Sequence, residues 1–229
     1  MPSTSDPGLS PRAVAQRCAS AIATAGVLAG LALWQGRLDL GVGLFIALTL
    51  GWIVIRALTT TASPLPVAAS VGGRREAILI RVVGVGMLLL PALAIATPLL
   101  DFARYERLGF SLWIGLALAL AGLWLFWRSH RDLGVYWSPE LELREGHALV
   151  TSGVYATIRH PMYAALILIT AAQACFLGNW IAGLSGLVSF LILYAVRVDH
   201  EERMMADRFG SDWAAYAARA GRLIPRRAR

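Results

Sequence analysis

Two short stretches of this chain place ionisable and aromatic side chains next to long apolar segments. The first is Arg159-His160-Pro161-Met162-Tyr163. Proline is favoured at the first position of a helix, so we expect a helix to begin at Pro161. A helix N-terminus preceded by arginine and histidine is electropositive and presents backbone N–H groups, which suits a carboxylate such as that of an amino acid. A plain helix cap with interfacial aromatic side chains would use the same residues.

The second stretch is Arg197-Val198-Asp199-His200-Glu201-Glu202. Arg197 and Glu201 stand four residues apart, so they share one face of a helix. In the functional interpretation the arginine holds an anion while the carboxylate holds an ammonium group or a ribose. An ion pair between the two side chains is the structural alternative, and the residues alone do not decide between them.

Other common catalytic arrangements are missing from the sequence. Cys18 and Cys175 stand singly in apolar runs, and His147 has no neighbours at metal-ligand spacing. No Ser-His-Asp order and no phosphate-binding loop is recognisable. The sequence therefore predicts neither a metal site nor a disulfide framework.

The composition indicates the elements that must position these residues. Hydrophobic residues make up 57% of the chain and charged residues only 15%, whereas soluble domains have roughly a quarter charged residues. A spanning helix needs about 20 mostly apolar residues. The candidates are Cys18–Trp34, Gly41–Leu58, Ile78–Leu100, Gly109–Trp127, Pro161–Leu177 and Trp180–Val196. We predict an all-α, polytopic transmembrane bundle of five or six spans, with a cytoplasmic cofactor-binding loop and a C-terminal amphipathic segment.

The arginines predict the orientation of this bundle. With six crossings and a cytoplasmic N-terminus, only Arg37, Arg104 and Arg107 of the 21 basic residues fall on the far side. Basic residues concentrate in cytoplasmic loops, so we expect both termini and the site to be cytoplasmic. The net charge of +7 is explained by this orientation and by anionic lipid headgroups, and no nucleic-acid partner is expected.

The connections divide the chain into two parts. Thr59–Gly73, rich in small residues and proline, is predicted to be a flexible linker between a front unit, 1–73, and a core, 74–229, with the site in about 133–225. Gly178-Asn179 is expected to form a tight helical hairpin through positive φ angles. The polar loop Arg128–His160 is unusually long, which favours a functional role.

In chain order, these pieces resemble the isoprenylcysteine carboxyl methyltransferase family and its phospholipid methyltransferase relatives. The resemblance covers roughly Leu133–Pro225, under half of the chain, and it rests on the ordered series rather than on any single piece. The pieces are His147–Val150, Thr151–Tyr155, Arg159–Tyr163, Arg197–Glu202, Phe209-Gly210, Trp213, Tyr216 and Arg222–Pro225. The family often has proline where this chain has Val154, which is a mild difference.

The resemblance implies a pocket for S-adenosyl-L-methionine, closed by cytoplasmic segments over the helices. Arg197 and Glu201 would be the catalytic residues, with Arg197 and Arg159 contacting the substrate. The residues that would contact the cofactor are Glu140, His147, Ala148, Leu149, Val150, Tyr155, His160, Pro161, Met162, Tyr163, Glu201 and Glu202.

The leading hypothesis is carboxyl O-methylation of a lipidated, isoprenylcysteine-like or otherwise apolar acceptor in the membrane. A carboxylate is already ionised near neutral pH and needs no general base, in agreement with the missing triad. Phospholipid N-methylation and S-methylation of a small thiol stay open. In those reactions a proton would have to leave, with Glu202 or His200 to accept it.

Two other classes of protein are alternatives. Membrane sterol-type reductases resemble the C-terminal architecture but use NADPH, and the shorter chain and motif series here favour methyl transfer. A transporter usually places ionisable residues near the membrane midplane between inverted repeats. Here those residues cluster at one face, and no repeat is evident.

Overall fold

The computed structural model describes residues 11–59, 67–70, 73–136, 142–144 and 148–226. In this part of the chain, six apolar helices pack together and a short amphipathic helix follows them. The helices are α1 (Pro11–Trp34), α2 (Leu40–Thr59), α3 (Arg74–Ala96), α4 (Ser111–Leu133), α5 (Pro161–Phe176), α6 (Trp180–Phe209) and α7 (Ser211–Arg219). The prediction of an all-α polytopic membrane protein is confirmed.

Five helices, α1 to α4 and α6, are long and apolar enough to cross a membrane. The sixth, α5, has 16 residues, or about 24 Å at the helical rise, which is shorter than a hydrocarbon core of about 30 Å. It packs beside α6, where the Tyr163 ring contacts those of Phe190 and Tyr194. All six predicted apolar segments are helices, and five or six spans follow from their lengths.

A π-helical turn interrupts α3 at Val85–Leu89. The N–H of Leu90 donates to Val85 O across this turn, so the next acceptor, the carbonyl oxygen of Gly86, falls opposite Pro91, which has no N–H. The carbonyl oxygen of Gly86 instead accepts hydrogen bonds from Gln173 Nε2 at 3.1 Å and Ser185 Oγ at 2.7 Å. Side chains of α5 and α6 therefore satisfy the carbonyl group that the irregular turn leaves without a backbone partner.

The α5–α6 hairpin forms at Gly178-Asn179 as predicted, but the expectation of positive φ angles is wrong. Asn179 has an extended backbone with φ −150°, and the positive-φ glycines of the described chain do not include Gly178. Asn179 instead caps α6, because its Oδ1 accepts the N–H of Ala182 at 3.0 Å, while its Nδ2 donates to Leu100 O at 2.6 Å. A helix cap and a tertiary contact determine this turn.

Glycines allow α4 and α5 to pack closely. A Cβ atom at Gly115 would lie 2.7 Å from Phe176 Cε1, and one at Gly122 would lie 2.9 Å from Ile169 Cγ1. Small residues permit such close approach between membrane helices. This packing fixes the start of α5 next to the end of α4.

The described parts of the connections contain regular structure that the sequence does not predict. The predicted linker Thr59–Gly73 contains strand β1 (Val67–Ser70), which pairs antiparallel with β2 (Glu142–Arg144). Helix α4 continues past the predicted end to Leu133, and α6 continues past Val196 to Phe209. The last turns of both helices carry charged residues. Hydropathy marks only the apolar part of a helix, so these turns were not predicted.

Candidate functional site

One cavity of about 350 Å³ lies at the end of the bundle where α5 begins, a volume within the range of small-molecule sites. Helices α2, α3 and α4 supply a mostly apolar wall, and the later segments supply most of the polar groups. The lining residues are Trp52, Arg56, Ile80, Val83, Gly84, Met87, Leu88, Phe126, His130, Leu133, Tyr136, Leu149, Val150, Tyr155, Arg159, His160, Pro161, Met162, Tyr163, Leu166, Phe190, Leu193, Arg197, Glu201, Met204, Met205, Trp213 and Tyr216.

Glu201 joins the two predicted stretches inside this cavity. Helix α5 begins at Pro161 as predicted, which places Tyr163 in its first turn, facing α6. The Tyr163 hydroxyl donates to Glu201 Oε2 at 2.7 Å, and His160 Nδ1 lies 3.9 Å from Glu201 Oε1. The Glu201 side chain remains 30% exposed, so it stays accessible to a bound molecule.

Arg197 lines the cavity one helical turn before Glu201 and forms an ion pair with Glu76 of α3. Arg197 Nη1 lies 2.9 Å from Glu76 Oε1, and the two side chains are only 12% and 9% exposed. The sequence analysis did not identify Glu76. Glu76 is spaced so that it shares one helix face with Ile80, Val83 and Met87. A carboxylate on that face, at the start of an apolar segment, is the sequence feature that could have indicated a functional residue.

Glu202 lies behind the cavity wall, where it contacts Arg159, His160 and Arg222. Its Oε1 accepts hydrogen bonds from Arg159 Nη2 at 3.0 Å and from His160 Nε2 at 3.1 Å, and its Oε2 accepts one from Arg222 Nη2 at 2.6 Å. The hydrogen bond to Glu202, with further attraction from Asp199, raises the pKa of the Arg222 guanidinium above its usual value. The Arg222 guanidinium therefore stays ionised, and its contact with Glu202 holds the C-terminal segment to α6.

The backbone strengthens this attachment. The N–H of Arg159 donates to Gly221 O at 2.7 Å, the N–H of His160 to Arg222 O at 2.9 Å, and the N–H of Gly221 to Thr157 O at 2.9 Å. The Arg159 side chain also donates to Ala217 O at 2.9 Å. The segment after α7 is thus bound to the segment before α5.

Helix α7 covers the cavity with two aromatic rings. The chain turns into α7 at Gly210, whose φ of 52° favours glycine. Trp213 and Tyr216 then face inward, and the Tyr216 hydroxyl donates to Tyr155 O at 2.7 Å. Burial raises the pKa of Tyr216 to about 12 and that of Tyr155 still further. Both phenols are therefore neutral donors at physiological pH.

A glycine turn directs Tyr155 into the cavity. Gly153 has φ of 60°, and a Cβ atom there would collide with the Asp132 carboxylate. The same carboxylate accepts the N–H of Val154 at 2.8 Å. Only glycine fits this turn without strain.

Most predicted site residues lie together. The cavity lining contains Leu149, Val150, Tyr155, Arg159, His160, Pro161, Met162, Tyr163, Arg197 and Glu201. Ala148 is exposed, Glu202 lies behind the wall, and Glu140 and His147 lie outside the described residues.

The sequence analysis also missed two ionisable residues of the apolar wall. Arg56 and His130 sit near the ends of α2 and α4 and line the cavity, and His130 Nδ1 lies 2.9 Å from Phe126 O. Both residues stand at the edges of hydrophobic segments, where an ionisable side chain tends to face a cavity rather than lipid. Neither residue belongs to a motif, because each stands alone in the sequence.

The arrangement offers two kinds of charge to a bound molecule. Arg197 can hold an anion such as a carboxylate, and the Glu201 carboxylate can accept hydrogen bonds from hydroxyl groups or face a cation. Apolar and aromatic side chains form the remaining surface. A ligand with both an apolar part and a small polar group would match this cavity.

Comparison with known proteins identifies related sequences. Residues 113–207 match the model of the Isoprenylcysteine carboxyl methyltransferase (ICMT) family. Protein-S-isoprenylcysteine O-methyltransferase B of Arabidopsis thaliana is 30% identical over 86 residues, or 38% of this chain and 44% of that protein. The human Protein-S-isoprenylcysteine O-methyltransferase is 32% identical over 84 residues, or 37% of this chain and 30% of that protein. The chain thus spans less than half the length of these curated relatives, and the predicted family resemblance is confirmed.

Proposed function

We propose, for a chain whose residues 113–207 match the model of the isoprenylcysteine carboxyl methyltransferase family, that the cavity is the active site of an S-adenosyl-L-methionine-dependent methyltransferase in the membrane. The leading reaction is carboxyl O-methylation of a lipidated, isoprenylcysteine-like or otherwise apolar acceptor. The observation that carries this proposal is the pair Arg197 and Glu201, which line one cavity from successive turns of α6.

The cavity residues fit the cofactor. Its volume of about 350 Å³ suits a nucleoside with an amino acid side arm. Leu149 and Val150 would form one wall and Tyr155 with the segment His160–Tyr163 the other, while Glu201 would face the ammonium or ribose group. When bound, S-adenosyl-L-methionine supplies a methyl group: an acceptor oxygen forms the new bond with its own lone pair, the carbon–sulfur electron pair stays on sulfur, and no proton moves.

Arg197 would orient the acceptor carboxylate, and positioning supplies much of the rate in such a displacement. Arg159 is a second candidate for this role, although its guanidinium already contacts Glu202 and Ala217. A carboxylate acceptor also suits the surroundings better than an amine or thiol. His200 is exposed and contacts Arg203, and Glu202 contacts Arg159, His160 and Arg222 behind the wall, so neither predicted proton acceptor lines the cavity.

The apolar wall from α2, α3 and α4 supports a lipophilic acceptor that enters from the bilayer. The names of the relatives specify an isoprenylcysteine O-methyltransferase activity for those proteins, which makes this the first acceptor to test. We further propose that the cavity end of the bundle and both termini face the cytoplasm, since most arginines lie at that end. The division into a front unit, 1–73, and a methyltransferase core, 74–229, is part of the same proposal.

Four further residues were predicted to contact the cofactor, and for Glu202, which lies behind the wall, the proposed role is indirect. Glu140, His147 and Ala148 would be further contacts of the cofactor, as the family resemblance implies. Glu202 would act on the cofactor through Arg159 and His160, the residues it contacts.

Methyl transfer by the purified protein tests the proposal. Labelled S-adenosyl-L-methionine is supplied with an N-acetyl-S-prenylcysteine, with phosphatidylethanolamine vesicles or with a small alkyl thiol. We expect label in a base-labile methyl ester of the prenylcysteine only. Calorimetry with S-adenosylhomocysteine should show binding, and NADPH should show none. Binding of NADPH without transfer to any acceptor would overturn the proposal.

A further inference from the structure

We infer that Glu76 is a positioning residue that gives Arg197 a permanent counter-charge and thereby limits how tightly the site holds an anionic acceptor. The inference rests on the proposed carboxyl methylation and assigns a role to a residue outside the family-matched segment.

The position of Glu76 supports this role. It lies in the first turn of α3, where the helix dipole stabilises a carboxylate. Its Oε1 is 2.9 Å from Arg197 Nη1, yet the cavity is lined by Arg197 and not by Glu76. Glu76 therefore contacts Arg197 without itself forming part of the cavity wall.

The burial of the pair makes the counter-charge necessary. Both side chains are nearly enclosed, and a buried guanidinium without a carboxylate is strongly destabilising. A guanidinium carries five N–H donors in a planar fork. It can therefore contact Glu76 along one edge and an acceptor carboxylate along another.

The charges in the reaction explain why a second carboxylate is useful. An acceptor carboxylate is anionic before methyl transfer, and the methyl ester formed from it is neutral. If the acceptor alone balanced Arg197, methylation would leave a buried cation facing a neutral ester. With Glu76 present, Arg197 stays balanced when the site is empty, when it holds the acid and when it holds the ester.

The same charge weakens acceptor binding, because two carboxylates near one guanidinium repel each other. Glu76 thus lowers the affinity for the acidic acceptor, while a neutral ligand of the same shape is unaffected. This difference separates an electrostatic role from a purely structural one.

The test compares the prenylcysteine acid with its primary amide as ligands of the full-length protein in detergent. Glu76→Gln keeps the size of the side chain and an oxygen that can accept from Nη1. We expect the dissociation constant of the acid to fall by about threefold to tenfold and that of the amide to change by less than about twofold. We also expect kcat to fall, because Arg197 would then have no counter-charge beside the neutral ester. Equal changes for acid and amide, or no change for either, would overturn the inference.

Two further variants keep the test decisive. Glu76→Asp retains the buried charge but withdraws it from Arg197 Nη1, so it should shift the acid affinity in the same direction by a smaller factor. This variant provides the test if Glu76→Gln folds poorly. Glu106→Gln, on an exposed residue at the opposite end of the bundle, should leave both affinities unchanged. If the wild-type protein methylates no carboxylate, the proposed function fails; if it does and the acid-to-amide ratio stays constant in both Glu76 variants, only this inference fails.

Discussion

The Tyr163 hydroxyl donates to Glu201 Oε2 across 2.7 Å, and this contact joins two stretches separated by a complete helical hairpin. Tyr163 lies in the first turn of α5, and Glu201 lies in the last third of α6. The hydrogen bond fixes the Glu201 carboxylate in the cavity wall. Any ligand that Glu201 contacts must therefore lie next to the start of α5.

Glu201→Ala should weaken binding of S-adenosylhomocysteine by at least about tenfold, because hydrogen bonds to a charged group contribute about 1.5–3 kcal/mol. Calorimetry on the purified protein measures the change. Tyr163→Phe should give a smaller loss, since it frees the carboxylate without removing it. Unchanged affinity in Glu201→Ala would remove this residue from the cofactor site.

Arg197→Ala should reduce kcat/KM for the prenylcysteine acceptor by about 100-fold or more, through loss of acceptor orientation. Cofactor affinity should stay within about threefold of the wild type. Arg197→Lys keeps the charge but not the planar fork, so intermediate activity is expected. Parallel losses of cofactor binding and turnover in Arg197→Ala would indicate a disturbed fold rather than a lost contact.

Glu202→Gln should destabilise the C-terminal segment, because Arg159 and Arg222 would lose their shared carboxylate. Breaking a largely buried ion pair costs about 3 kcal/mol or more, which a lowered melting temperature and faster proteolysis after α6 should reveal. Asp199→Asn removes only the exposed partner of Arg222 and should have little effect. Equal stability of the two variants would argue against the contacts of Glu202 as the main attachment.

Gly153→Ala should impair both stability and cofactor binding. The new Cβ would collide with Asp132 in a backbone conformation that disfavours it, at a cost of about 1–2 kcal/mol for the conformation alone. Gly134→Ala is the matched control, because Gly134 has φ of 57° but open space around its Cβ position. Similar cofactor affinities in the two variants would show that backbone strain, and not the position of Tyr155, is what matters.

Low pH should reduce the stability of the protein at the end of the bundle opposite the cavity, where Asp39 lies. Burial opposes ionisation of Asp39, but the N–H of Val42 and the Arg107 guanidinium lower its pKa below the usual value. Stability from this ionised group is fully present above the unfolded pKa, near 3.9, and is lost as pH falls through the lower folded value. The melting temperature of the wild type should therefore fall more steeply than that of Asp39→Asn below about pH 4.

Local patterns in the sequence predicted the helices, and the family resemblance predicted ten of the residues that line the cavity. Apolar length identified the six segments, and Pro161 identified the start of α5. The spacing of Arg197 and Glu201 placed both on one face of α6. These features require only the periodicity and end signals of a helix.

Contacts between distant segments were not predictable in the same way. Glu76 and Arg197 meet because α3 packs on α6, and no local pattern links residues 121 positions apart. The extended turn at Asn179 depends on Leu100 in the same manner. The strand Val67–Ser70 was hidden because small residues and proline nearby indicated a linker.

The π-helical turn at Val85–Leu89 also sets the phase of α3. One residue in excess of regular winding rotates the preceding part of the helix by about 100°, so the first turn of α3 faces α6 only because the irregularity is present. Losing a single residue from that turn would aim Glu76 about a quarter of a revolution away from Arg197. The apolar middle of the bundle therefore determines which charge meets which at its edge.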